Sequence, residues 1–116
     1  MNEVRCVKIK LKPDSLPRVR EWAAYISAYR DEALVTLEGE SIVRESFFLD
    51  TSDAGDYLIG YIRAGSLAQA ARAVKQSTHE LDAYHKEFQK DAWESGRALE
   101  LLIDLNRLDN RLEQET

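Results

Sequence analysis

Two stretches near the middle of the chain, SIVRESFFLD from Ser41 to Asp50 and YLIGYIRA from Tyr57 to Ala64, are apolar on both faces that a strand presents. Alternate residues of a strand share a face. Val43, Phe47 and Leu49 therefore stand against Ile42 and Phe48 in the first stretch. In the second, Tyr57, Ile59 and Tyr61 stand against Leu58 and Ile62. Arg44 and Glu45 interrupt the first, one on each face, where a charged residue is either solvated or turned into a cavity. The seven residues between the stretches, DTSDAGD from Asp50 to Asp56, have turn chemistry and predict an antiparallel hairpin. A hairpin that is apolar on both sides needs a layer packed on each of them.

The rest of the chain supplies elements for one such layer. Residues 4–11, VRCVKIKL, alternate with Val7, Ile9 and Leu11 on one face and predict a first strand. Pro13 to Pro17 stops it and starts a helix capped by Asp14 or Ser15, in which Val19, Trp22, Ile26, Tyr29 and Ala33 recur at helical spacing to about Leu37. Gly39 ends that helix. A second opens at Gly65-Ser66, with Ser66 and Gln69 as a capping box, and breaks at Ser77-Thr78.

The stretch Ser77–Gly96 then reads as a helix of its own. Ser77 and Glu80 make its capping box, Gly96 its left-handed stop, and Leu81, Tyr84, Phe88 and Ala92 its apolar stripe. Beyond it Leu99, Leu101, Ile103 and Leu105 alternate and predict a last strand, although Leu101, Leu105, Leu108 and Leu112 fit a helix equally well. One domain over 1–108 with a solvated tail over 109–116 is the expected organisation.

Both histidines lie on the Ser77–Gly96 helix. His79, Asp82 and His85 are successive steps of three around one side, each about 60° on, and His85 borders the apolar stripe. Asp82 is close enough to hydrogen-bond either ring and select its tautomer. One reading is an imidazole oriented for acid–base work, with the nearby carboxylate raising the His85 pKa against partial burial. The other is a histidine at the core margin, satisfied by Asp82 for helix stability alone. A metal is not expected, because a His–His spacing of six chelates poorly and no third strong ligand is near. Trp22, Trp93, Arg44, Tyr57 and Tyr61 are the residues expected to line a ligand pocket across from the histidines.

A net charge of −5, with no run of basic residues interleaved with aromatics, argues against nucleic acid as a partner. No apolar run reaches the length of a membrane span, and the first residues carry no signal-peptide pattern. A single cysteine, Cys6, suits a reducing cytoplasm and reads as a small buried hydrophobe.

Strand–helix–strand–strand–helix–strand is the split βαβ order of a ferredoxin-like α+β fold with an antiparallel sheet. Its helices cover one sheet face, so the second apolar face is expected to meet a second copy of the chain in a two-fold homodimer. In its order of elements, and in SIVRESFFLD, DYLIGYIRA and Ser77-x-His79-x-x-Asp82-x-x-His85, the chain resembles an uncharacterised bacterial family of the dimeric α+β barrel superfamily. The resemblance implies a ligand pocket between the sheet and the helices. It also implies either a cofactor-independent monooxygenase or isomerase type of activity, or a small dimeric protein without catalysis. The haem-degrading branch, which uses an asparagine on the first strand, is not matched: Arg5, Cys6 and Lys8 stand there. No cofactor is expected.

Overall fold

The computed structural model of the chain describes residues 2–108. Its elements in order are β1 (Glu3–Leu11), α1 (Leu16–Ala28), α2 (Arg30–Gly39), β2 (Ile42–Ser52), β3 (Gly55–Ala64), α3 (Leu67–Gln76), α4 (Glu80–Ala92) and β4 (Trp93–Ala98). The strands form one antiparallel sheet in the order β2-β3-β1-β4. This is the ferredoxin-like βαββαβ arrangement, with each helical connection divided in two.

Helices α1 to α4 all lie on one side of the sheet. Ile9 and Leu11 of β1 and Leu58 of β3 bury against Val19 and Trp22 of α1 and Phe88 and Ala92 of α4. A second cluster joins Ile42, Ala64 and Ala70, with Leu37 packed on it. These two clusters explain why the long helix expected to Leu37 is two helices. Tyr29 leaves helical geometry (φ −107°, ψ 37°), and the chain turns there, so that α1 serves one cluster while Leu37 of α2 reaches the other.

The hairpin is tighter than the sequence suggests. The ladder runs on to the pair Ser52 and Gly55, leaving a two-residue turn at Asp53-Ala54, and Gly55 adopts the positive φ (136°) that the reversal needs. A bulge at Val43 shifts the alternation of β2. Ile42 therefore buries and Val43 turns outward at 55 % exposure, the reverse of the expected pairing of Val43 with Phe47 and Leu49. Beyond the bulge Glu45, Phe47 and Leu49 face the helices, while Arg44, Ser46 and Phe48 face away.

The C-terminal part departs further from expectation. The helix ends at Ala92, not Gly96, because Lys12 N–H takes the Ala92 carbonyl (2.8 Å) and the chain extends into β4 beside β1. Gly96 sits in that strand opposite Ile9, where a Cβ would come within 3.5 Å of the Ile9 side chain. The strand expected over 99–105 is absent, since β4 already occupies the sheet edge. Leu99 N–H still reaches the Cys6 carbonyl (2.8 Å), after which residues 100–106 have no regular structure. Asp104 pairs with the buried Arg63 at the far side of the sheet, leaving Leu101, Leu102, Ile103 and Leu105 exposed. The alternative helix through Leu101, Leu105, Leu108 and Leu112 is not formed over 101–106 either, although residues 107 and 108 are helical; its remainder and the tail expected over 109–116 lie outside the described residues. Among the described residues no helix is long and apolar enough to cross a membrane.

Candidate functional site

His85 lies in the second turn of α4 with its ring between two indoles. Trp22 of α1 donates its Nε1–H to His85 Nδ1 at 3.1 Å. Trp93, at the junction of α4 and β4, stands edge-on to the ring at 6.0 Å, and its own Nε1–H is buried without a partner. Phe47 and Phe88 close the other sides, at 6.0 and 6.1 Å between centroids. Trp22 in turn stacks flat on Phe88 (4.4 Å) and takes Phe47 edge-on (5.0 Å). Gly60 of β3 makes room for Phe47, since a Cβ there would stand 3.0 Å from the ring.

The Trp22 bond fixes the imidazole. An indole N–H is only a donor, so Nδ1 must be unprotonated and the neutral ring carries its hydrogen on Nε2. Burial acts in the same direction and pushes the His85 pKa down to about 4, with Asp82 raising it by less. Desolvation wins over the carboxylate, against the sequence-based expectation of a raised pKa. Nor does Asp82 hydrogen-bond a histidine: its Oδ2 accepts from the Ser77 hydroxyl. Nε2 of His85 has no hydrogen-bond partner among the described residues.

His79 does not join this group. Its Nδ1 accepts the Leu81 backbone N–H at 3.0 Å, which makes His79 itself the N-cap of α4. Ser77, expected to cap through Glu80, instead accepts from His79 N–H (3.1 Å) and donates to Asp82. The helix starts three residues late because this Ser77–Asp82 link holds the chain extended before it.

Two acids missing from the sequence-based site complete it. Glu40, just after α2, is 7 % exposed, and its buried Oε1 meets no donor. Its carboxyl is within hydrogen-bond reach of Asp82, a contact that requires a proton on one of the two. Burial first, then Asp82 and Glu45, push Glu40 up to about 8. Glu45, on the helix side with Phe47, is pushed up to about 7 by burial and then by Asp82, although its side chain keeps a solvent-exposed flank. The alternation of β2 placed Glu45 with Phe47; nothing in the run Glu38-Gly39-Glu40-Ser41 hinted at the burial of Glu40. Among the described residues no cluster of three or more histidine, cysteine, aspartate and glutamate side chains has the geometry to hold a metal ion.

Of the expected pocket residues, Trp22 and Trp93 are at His85 and three others are not. Arg44, Tyr57 and Tyr61 lie on the opposite face of the sheet, with Arg44 opposite Arg63, Tyr61 accepting from Arg63 Nε (3.1 Å), and Lys8 over the Tyr57 ring (4.4 Å). A sheet separates them from the histidine, so one pocket cannot hold both sets.

The chain belongs to a family of unknown function, DUF6176, whose model matches residues 2–110. No curated protein is similar to it. Among solved structures it resembles a dimeric protein of unknown function and ferredoxin-like fold from Bacteroides fragilis (17 % identity, 84 % of this chain and 92 % of that one, TM-score 0.52). It also resembles a NIPSNAP-like domain protein from Burkholderia xenovorans (11 %, 89 % and 85 %, TM-score 0.56). A candidate antibiotic biosynthesis monooxygenase from Bacteroides thetaiotaomicron is similar at 15 % identity over 90 % of each chain, TM-score 0.54. At these identities the likeness shows the fold, and the chemistry has to be argued from the side chains.

Proposed function

We propose that the protein is a homodimer that binds a small molecule beside His85 and moves a proton on it, in the manner of a cofactor-independent monooxygenase or an isomerase. The observation that carries this reading is a neutral imidazole, locked by Trp22, and a carboxyl group held near 7 at Glu45, both within reach of the charge of Asp82. An acid–base group is most useful when its pKa lies near the working pH. Glu45 meets that condition and His85, at about 4, does not. The roles are therefore divided. Glu45 takes the proton, and His85 Nε2–H donates to the oxygen on which charge develops, a task for which a neutral imidazole suffices. Burial first, and then the charge of Asp82, raise Glu45.

The test uses a planar ketone with an acidic C–H, such as anthrone, without oxygen and in deuterated water. Loss of the C–H signal by NMR should be faster with the protein than without it, with a pH profile rising through about 7. Glu45→Gln should abolish the acceleration. The rival reading, a non-catalytic dimeric module whose histidines serve packing, is favoured by the aromatic side chains that fill the space around His85 and by the use of His79 as a helix cap. It prevails if exchange is no faster than in the Glu45→Gln protein.

A further inference from the structure

The open face of the sheet carries a second feature, remote from His85. Lys8 and Lys10 of β1, Tyr57 of β3 and Ser95, Gly96 and Arg97 of β4 line a depression of about 280 Å³. Lys8 and Arg97 are direct partners in the β1–β4 ladder and share a face. Like charges directly opposite one another across a strand pair are destabilising, and nothing in the fold requires the pair. Among the described residues one acid answers the three cations: Glu94, 3.2 Å from Lys10, with both side chains about half exposed. Three positive charges less one leave two uncompensated, on a chain whose net charge is −5.

We propose that this depression binds a phosphorylated small molecule. A phosphate monoester carries close to two negative charges at neutral pH, matching the local excess, and its oxygens suit the fork of an arginine flanked by lysines. The depression is larger than a phosphate group alone needs, so the ester's body lies toward Tyr57, whose ring already holds Lys8 in place. The site stands at the β4 edge of the sheet, away from Phe48 on the β2 edge. Its argument is independent of the proton-transfer reading at His85.

The experiment is thermal unfolding at fixed ionic strength in chloride, inorganic phosphate or glycerol 3-phosphate, on the wild type, Arg97→Gln, Lys8→Gln and, as a remote control, Lys75→Gln on α3. Binding to the folded state raises the midpoint. The wild type should gain a few degrees in glycerol 3-phosphate over chloride, and less in inorganic phosphate. Arg97→Gln and Lys8→Gln should lose most of that gain while unfolding at or above the wild-type midpoint in chloride, because each removes the facing like charge. Lys75→Gln should behave as the wild type. No gain over chloride, or an equal gain in all four proteins, overturns the proposal, and equal gains with the two phosphates overturn the ester assignment.

Discussion

Trp22 Nε1–H and His85 Nδ1 meet at 3.1 Å, and this one bond sets the state of the imidazole and ties α1 to α4 over the sheet. Because the donor cannot reverse, protonating Nδ1 would cost the bond as well as bury a charge. Trp22→Phe keeps the stacking area on Phe88 and removes the donor. His85 should then titrate somewhat above the value of about 4 held in the wild type, with burial still keeping it below its ordinary 6.5. NMR titration of the ring protons reads this directly, and an unchanged pKa would mean that burial alone holds it down.

His85 and Glu40 pull stability in opposite directions as pH changes. The lowered His85 pKa gives stability present above 6.5 and lost as pH falls toward about 4. The raised Glu40 pKa gives stability present below 4.5 and lost as pH rises toward about 8. Between about 4.5 and 6.5 the losses from Glu40 and Glu45 oppose the gain from His85; above 6.5 the loss from Glu40 continues, joined up to about 7 by that from Glu45. Denaturant midpoints should therefore fall from pH 6.5 to 8. Glu40→Gln, which imitates the protonated acid, should remove most of that fall and be more stable than the wild type at pH 8 by on the order of 2 kcal/mol. A wild-type curve flat over this range would show that Glu40 is ionised without cost.

Asp82→Asn separates the two groups that Asp82 influences. It removes a charge that raises Glu40 and Glu45, so both should titrate closer to the ordinary carboxylate range, while His85 should fall slightly further. The same substitution would have lowered His85 markedly under the sequence-based picture of a direct carboxylate–imidazole bond. Carboxyl carbon titration by NMR distinguishes the outcomes.

The paired strands, the helix stripes and the order of elements were legible because each rests on local periodicity. Leu81, Phe88 and Ala92 are buried where their spacing put them. What failed depended on long-range backbone pairing. The six residues of β4, Trp93 to Ala98, have no alternating apolar pattern and are a strand only because β1 offers an unpaired edge. The richer alternation at Leu99 to Leu105 has no strand left to pair with. At the site, spacing brought His85 to the core margin and the expected pocket set Trp22 across from it, but nothing local could show the hydrogen bond between them. The Val43 bulge, invisible in the sequence, decides that Ile42 joins Glu45, Phe47 and Leu49 on the histidine side while Val43 does not.

Gly60 and Phe47 provide a packing test of the same region. A Cβ on residue 60 would stand 3.0 and 3.3 Å from two carbons of the Phe47 ring, which is itself held against Trp22. Gly60→Ala should cost about 1–3 kcal/mol by overpacking. Adding Phe47→Leu should recover part of that loss, whereas Phe47→Leu alone should destabilise. Denaturant unfolding of the four proteins of this cycle gives the coupling; simple additivity would mean that the ring moves aside freely.

The sheet face without helices tests the proposed homodimer. Phe48 is 62 % exposed there, and Ile59 and Tyr61 on β3 are half-buried on the same side. An apolar strip of this kind, three residues across two strands, is commonly an association surface. Phe47, one residue earlier, faces the core instead, so the two phenylalanines give contrasting variants. Light scattering of the wild type at micromolar concentration should return twice the 13.3 kDa chain mass. Phe48→Asp should return the single mass with its secondary structure kept, because nothing in the monomer's interior changes. Phe47→Ala should lower stability by on the order of 3 kcal/mol through lost packing while still assembling. A Phe48→Asp protein that stays dimeric would place the contact elsewhere, and the exposed leucines of residues 101–105 would be the next surface to alter.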